Sequence, residues 1–210
     1  MTSHPSTPTL STERLILRPW REEDLPAFAA LKADPRVMEF LPKCLERAES
    51  DALAERIAAH LRRHGFGLWA VEVPGVAPFI GFVGLEAPSF EAHFTPCLEV
   101  GWRLAFVQWG RGYATEAARR VLAHGFGPLG RAEIVSFTTR GNRRSRAVME
   151  RLSMRHDPAD DFLHPTLPEG HPQRPHVLYR LDRRAFVAAQ SGGELSDAGW
   201  SSSRRDSTCE

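Results

Sequence analysis

The sequence predicts a mixed α/β sheet flanked by helices, and three observations predict it. Three short apolar runs, LWAVEV (68–73), FIGFVGL (79–85) and LEVGWRL (98–104), succeed one another across Pro- and Gly-bearing connections, the pattern of an antiparallel meander. Ala114, Ala117, Ala118, Val121, Leu122 and Gly125 then fall at positions i, i+3, i+4, i+7, i+8 and i+11, one face of a helix. Strand-like and helix-like segments alternate from there on, so the complete order reads βααβββαβαβ, with neither a repeat nor a second domain.

Each element has its own signal. RLILR (14–18) is a strand stopped by Pro19, and REEDLPAFAALK carries the acidic first turn and apolar spacing of a short helix. Leu53, Ile57 and Leu61 recur every four residues in ESDALAERIAAHLRRHG, a second helix that Gly65 ends. After the meander and the Ala-rich helix, IVSFTT (134–139) is a strand. RRSRAVMERL is a short helix with Val148, Met149 and Leu152 turned inward, and HVLYRL (176–181) is the last strand. The Ser/Thr/Pro-rich residues 1–11 are expected to form a loose arm, residues 12–190 one domain, and residues 191–210, a Gly/Ser/charge mixture, a disordered tail.

Composition narrows the function. A chain of 210 residues is long enough to bury a real core. Lys and Arg number 27 against 26 Asp and Glu, a net charge of +1, which gives no general reason to expect a nucleic-acid or membrane partner. Cys44, Cys97 and Cys209 are odd in number, scattered and without CxxC spacing, so neither a disulfide framework nor a zinc knuckle follows and a cytoplasmic location is expected. The N-terminus has no basic region leading into an apolar run, and no stretch has the length to span a bilayer.

The chemistry concentrates in WGRGYATE (109–116). Two glycines one residue apart, between a strand and a helix N-terminus, present unpaired N–H groups at the positive end of a helix dipole, which suits a pyrophosphate. A lone GxG would equally fit a tight turn; Arg111 between the glycines and the small-residue helix face that follows favour the anion. GRGYAT lacks the GK[ST] of a P-loop and the third glycine of a dinucleotide fingerprint.

VGWRLAFVQWGRGYATEAARRVLAHGF followed by TRGNRRSRAVMERLSM resembles the acetyl-CoA-binding core of the GNAT N-acetyltransferases, in particular their RimJ/RimL-like branch. The family's Gln/Arg-x-x-Gly-x-Gly/Ala loop maps onto Trp109, Gly110, Arg111, Gly112, Tyr113 and Ala114, with Trp109 in the place of the usual Gln or Arg and Gln108 one position too early to fill it. The resemblance spans about residues 12–182 and is specific over 97–154. It implies the GNAT fold: a mostly antiparallel central sheet with a splayed strand pair that admits the cofactor. It also implies that the strand ending Trp102-Arg103-Leu104 pairs its backbone with the pantetheine arm, and that the amides from Gly110 through Ala114 and Thr115 hold the pyrophosphate. Tyr113 is expected to be structural within that loop.

Alternation in LEVGWRL puts Leu98, Val100, Trp102 and Leu104 on one face and Glu99, Gly101 and Arg103 on the other. Gly101 inside a strand suggests a bulge or a close backbone approach. In the implied fold Glu99 faces the reaction cleft, where the demand is for a base. An α-amino group with a pKa of about 8 is roughly a tenth neutral at pH 7, a lysine at about 10.4 hardly at all, and only the neutral amine attacks a thioester. Glu99 would act through water or with a raised pKa; otherwise it is a solvated strand charge or a partner for Arg103. Asn142 is a favoured helix N-cap with Ser145 three residues on. The resemblance implies that both also reach the pantetheine and thioester region. The helix has no tyrosine to serve as general acid, so Ser145 is assigned the acid or thiolate-stabilising role. Ser153 stands where the family commonly has Gly, a position of positive φ that would be strained.

HDPADDFLHPTLPEGHPQRPH (156–176) gathers four histidines and three aspartates, but its spacings match no compact ligand motif and no metal is expected. His164 and His171 precede prolines, favouring an extended solvated loop that serves as a lid or wall of the acceptor pocket. Phe40-Leu41-Pro42 lies where such acceptor loops sit. Glu46, Glu49, Asp51, Asp160 and Asp161 hint at an acidic cleft for a polyamine or basic peptide. The expected activity is acetyl transfer from acetyl-CoA to a primary amine, on a protein N-terminus or a small molecule, by a monomer or homodimer. The alternatives are an acyl-CoA binding module without chemistry and an interaction protein in which GRG is only a turn.

Overall fold

The computed structural model describes residues 7–197. Strands β1 (Leu10–Ser11) and β2 (Ile16–Arg18) lead into helices α1 (Leu25–Ala33), α2 (Pro35–Met38) and α3 (Arg47–His64). Strands β3 (Leu68–Val73), β4 (Ala77–Glu86) and β5 (Glu99–Leu104) follow, then α4 (Tyr113–Phe126), β6 (Glu133–Thr139) and α5 (Arg143–Arg151). The chain closes with β7 (Arg155–His156), β8 (Phe162–Leu163), β9 (Pro175–Asp182) and α6 (Arg183–Asp197).

One sheet takes the strands in the order β1-β2-β3-β4-β5-β6-β9-β7, with β8 also on β9. Every pairing is antiparallel except that of β5 with β6, which is parallel and rests on the single pair Glu99↔Val135. The mixed, mostly antiparallel sheet and its splayed central pair are as expected.

The two-residue period of the strands sorts the core. Trp69, Val71, Val83, Leu85, Val100 and Leu104 pack with Ala117, Ala118, Val121 and Leu122 of α4 and with Met149 of α5. Leu68, Ala70 and Phe82 pack on the opposite side with Phe28 and Leu31 of α1 and Ala54 and Ile57 of α3. The four α4 residues are fully buried, each at 0 % exposure, so the small face read from the sequence is the face that meets the sheet. Burying such apolar area contributes about 25 cal/mol per Å².

Three expectations fail. Residues 7–11 are not a loose arm: β1 pairs with β2, Leu10 is buried, and Trp69 Nε1 donates to Pro8 O at 2.8 Å. Residues 191–197 of the expected tail continue α6, which Asp182 caps through Ala185 N and Phe186 docks against Phe126; residues 1–6 and 198–210 lie outside the described residues. The bulge is not at Gly101, since β4 and β5 keep register from Gly81↔Leu104 to Glu86↔Glu99. The irregularity falls between β3 and β4, between Val71 and Val73. There Gly81 presses so close to β5 that a Cβ would stand 2.2 Å from Arg103 O.

Candidate active site

The splay follows from a single bridge and its parity. Val135 N donates to Leu98 O at 2.9 Å, Ser136 Oγ donates to Val100 O at 2.9 Å, and beyond them β5 and β6 diverge. On the other edge of β5 Ala105 N donates to Ile80 O, so odd-numbered residues bond β4 and even-numbered ones face the split. Leu104 O is taken by Trp109 Nε1 at 2.8 Å. The backbone N–H and C=O of Trp102 are left facing a gap where a strand would otherwise lie, and an extended polar chain fits there.

The split opens into a cavity of about 960 Å³. At one end the chain turns from β5 into α4. Gly110 and Gly112 have φ of 76° and 80°, the left-handed region, and Gly112 caps the helix. Among the described residues the N–H groups of Gly110, Arg111 and Gly112 find no hydrogen-bond acceptor, and a Cβ at Gly110 would meet nothing within 4 Å. Free donors, clear space and a helix N-terminus fit an anionic diphosphate. Residues from the chain's beginning hold the loop from outside: Glu116 accepts from Thr12 Oγ1 at 2.6 Å and from Arg14 Nε at 2.7 Å, and Arg14 Nη1 donates to Arg111 O at 3.1 Å.

The first turn of α5 faces this loop across the split. Asn142 Oδ1 accepts from Ser145 N at 3.2 Å, the expected cap, while Asn142 Nδ2 donates to Thr138 Oγ1 at 2.9 Å and to Ser145 Oγ at 3.1 Å. Ser145 Oγ thus accepts inside the turn and keeps its own proton for a group in the cavity.

Glu99 stands at the vertex of the split, on the cavity wall. Burial, then the Glu86 carboxylate, push its carboxyl up to about 8, and the Arg103 guanidinium pulls the other way. Glu86 is its direct partner across β4 and β5, on the same face. Glu86 is exposed by surface area yet flanked by protein, and that partial desolvation raises its carboxyl while Arg103 opposes. Burial brings Arg103 down to about 10, so it stays charged at neutral pH. Behind it, Lys32 of α1 is 4 % exposed and is brought down to about 7 by burial and by Arg103. A carboxyl poised near 8 suits proton abstraction from an ammonium far better than one near 4.

The far end is lined by rings. Alternation in β6 turns Ser136 and Thr138 toward α5 and Phe137 the other way, into a cluster with Phe90, Phe94 and Phe162. His164 and His176 extend the cluster to the cavity, 4.9 Å apart between centroids. Burial lowers both imidazoles, His176 to about 4. Phe40 and Leu41 close the opposite side.

All the sequence-predicted site residues line this one cavity except Arg111, whose backbone N–H is one of the free donors of the loop. Gly101 contributes space: a Cβ there would meet only Glu99 Oε1, at 4.0 Å. Two expectations are corrected. The supposed acidic cleft does not exist among the described residues: Glu49 is paired with Lys43, Asp51 with Arg47, Asp160 with Arg180 and Asp161 with Arg140, none lines the cavity, and neither does Glu46. Residues 156–176 are not a simply solvated loop, since β7, β8 and the two histidines build them into the sheet edge and the cavity wall, as the wall reading expected. Among the described residues no group of His, Cys, Asp or Glu is arranged to hold a metal, and no helix is long and apolar enough to cross a membrane. Sequence reading missed Glu86, and only strand register could have placed it.

Comparison with known proteins agrees with this geometry. A family model for the acetyltransferase (GNAT) domain matches residues 14–155. The chain is 30 % identical over 190 residues to the FsC-acetyl coenzyme A-N(2)-transacetylase of Aspergillus fumigatus, covering 87 % of this chain and 80 % of that one. The crystal structure of an acetyltransferase from Agrobacterium tumefaciens is similar with a TM-score of 0.68 and 30 % identity, over 87 % of this chain and 99 % of that one. Mycobacterium smegmatis RimJ in complex with CoA-disulfide shares the fold with a TM-score of 0.68 at 20 % identity, over 89 % of this chain and 95 % of that one.

Proposed function

Because the chain belongs to the GNAT acetyltransferase family, it is an acetyl-CoA-dependent N-acetyltransferase, and we propose that it carries acetyl directly to a primary amine while both substrates are bound. Glu99 takes the proton and Ser145 bonds the departing sulfur. The observation that carries this reading is the placement of the Glu99 carboxyl and Ser145 on the wall of the same cavity as the anion cradle.

Acetyl-CoA supplies an acyl carbon that a neutral amine attacks, with a thiol of pKa about 8.5 as leaving group. The free amides of Gly110 to Thr115, with Trp109 and Tyr113 as walls, bind the pyrophosphate, and the open backbone of Trp102, with Arg103 and Leu104 beside it, binds the pantetheine arm. Asn142 fixes Ser145 by its cap, and the Ser145 hydroxyl donates toward the sulfur. Glu99, ionised, takes the proton that the attacking nitrogen sheds, directly or through one water. The acceptor is a protein N-terminus or a small-molecule amine; the name of the Aspergillus relative, an N(2)-transacetylase, supports an amine nitrogen.

Trp109 in the first position of the phosphate loop supports the RimJ/RimL-like branch. Cysteine usage, with Cys44 and Cys97 both free, supports a cytoplasmic location.

The test is acetyl-CoA binding by calorimetry at fixed salt, in the natural protein and in Gly112→Glu, which adds bulk and negative charge at a left-handed position of the cradle. Binding weakened at least about a hundredfold by the variant supports the reading. Absence of binding by the folded natural protein overturns it.

A further inference from the structure

We infer that the acceptor is a small molecule whose amine is borne on a ring-bearing apolar body, seated against Phe137, His164 and His176 with its nitrogen at Glu99. This rests on the acetyltransferase reading and narrows its acceptor.

The two ends of the cavity are built for different partners. Toward α5 and the glycine loop the walls offer backbone amides and small hydroxyls. Toward α1, α2 and the 156–176 segment they offer rings. Phe137 and His176 share one face of the sheet, because β6 and β9 pair Phe137↔Leu178 and Thr139↔His176. His164 is held against Phe90 at 4.6 Å and His176 against Phe162 at 5.5 Å between centroids, so the wall is braced from behind. Both imidazoles are lowered by burial and uncharged at neutral pH, so an arriving ammonium meets polarisable rings and no repelling cation on this wall.

The polar groups at this end are few. Arg36 is engaged by Asp34 at 2.7 Å and lies over the Phe106 ring, which leaves Glu86, Glu99, Arg103 and the unpartnered Thr139 hydroxyl. A polyamine or a polyhydroxylated amine would bury more polar groups than these can satisfy. An arylalkyl amine needs one polar partner for its nitrogen and covers its ring with apolar contact.

A polypeptide N-terminus fits less well because the end is roofed. Gln173 Nε2 donates to Glu39 O at 2.9 Å, and the Glu39 carboxylate pairs with Arg144 of α5. The segment after α2 is thereby tied both to the 156–176 segment and to α5, and a chain running away from Glu99 would have to cross that junction.

The experiment compares kcat/KM, divided by the neutral fraction of each amine, for 2-phenylethylamine, n-butylamine, spermidine and an Ala-initiated tetrapeptide. It uses the natural protein, His164→Ala and His164→Phe, with acetyl-CoA affinity measured in parallel. We expect 2-phenylethylamine to exceed n-butylamine by at least about tenfold, from burial of the ring. The ratio should shrink at least about threefold in His164→Ala and persist in His164→Phe, with acetyl-CoA affinity unchanged. Spermidine or the peptide as the preferred acceptor, or a ring preference that survives His164→Ala undiminished, would overturn this inference alone. Transfer to none of the amines by a protein that binds acetyl-CoA would overturn the acetyltransferase reading and this inference with it.

Discussion

Replacing Glu99 by Gln should erase one limb of the pH–rate profile, and the size of the effect follows from where that carboxyl titrates. With Glu99 at about 8, roughly a tenth of the protein carries the ionised base at pH 7 and about nine-tenths at pH 9. Values of kcat/KM corrected for the neutral fraction of the amine should therefore rise about tenfold between those values in the natural protein. Gln has the shape of Glu but takes no proton, so the corrected profile of Glu99→Gln should be flat. If the variant loses about a thousandfold at pH 9, within the usual range for a general base, it should lose only about a hundredfold at pH 7, where most of the natural enzyme is already protonated. Lys32, brought down to about 7, also titrates in this window, so Lys32→Met is the control and should keep the limb. The assay is thiol release from acetyl-CoA at saturating acetyl-CoA over pH 6 to 9.5. A limb that survives in Glu99→Gln, that lies near the ordinary carboxylate value of about 4.3, or that disappears with Lys32 would show that Glu99 is not the base.

Glu86→Gln removes the carboxylate that pushes Glu99 upward, so the same limb should move to lower pH; an unmoved limb would show that the two carboxyls do not communicate. Ser153 sits at φ 61°, the sole non-glycine with positive φ among the described residues. Ser153→Gly should stabilise the protein by about 1 kcal/mol and raise Tm by roughly 2–4 °C, and a lower Tm in calorimetry would contradict the strain argument. Arg14→Ala frees the glycine loop from its outer tether and should raise KM for acetyl-CoA about fivefold with kcat nearly unchanged, since pre-organisation of the loop is what is lost. A fall in kcat with constant KM would place Arg14 in some other role.

Long periodic elements were legible in the sequence because their partners only have to be apolar. The Ala-rich face of α4 and the alternation in β5 each give the correct side without knowledge of the neighbour. What escaped needs tertiary partners. Strands β1, β7 and β8 have two residues each, too short for any period, and exist because β2 and β9 offer an edge. Helix α6 runs through Ser and Gly that argue for a tail, and docking of Phe186 on Phe126 outweighs that local preference. The site divides in the same way. The glycine loop, Asn142, Ser145 and Glu99 carry their meaning in sequence, by spacing or by alternation. Glu86 becomes a neighbour of Glu99 only through the register of β4 on β5. Four of the five acids expected to gather instead neutralise cations, Glu49 and Asp51 close by in sequence and Asp160 and Asp161 on the distant Arg180 and Arg140.

The single bridge at Glu99↔Val135 means that this sheet carries two of its edges on the inside. An edge strand ordinarily tempts other chains to add themselves to it. Here the edges are recessed within the fold, so what can add itself is a slender chain and not another sheet. A bound ligand would then act as a missing strand, and the two halves of the sheet, β1 to β5 and β6 to β9, would be coupled through it. Amide hydrogen exchange would follow that coupling directly: the Trp102 amide should exchange quickly in the free protein and slow sharply when the seam is filled, while amides bonded between β4 and β5 should hardly change.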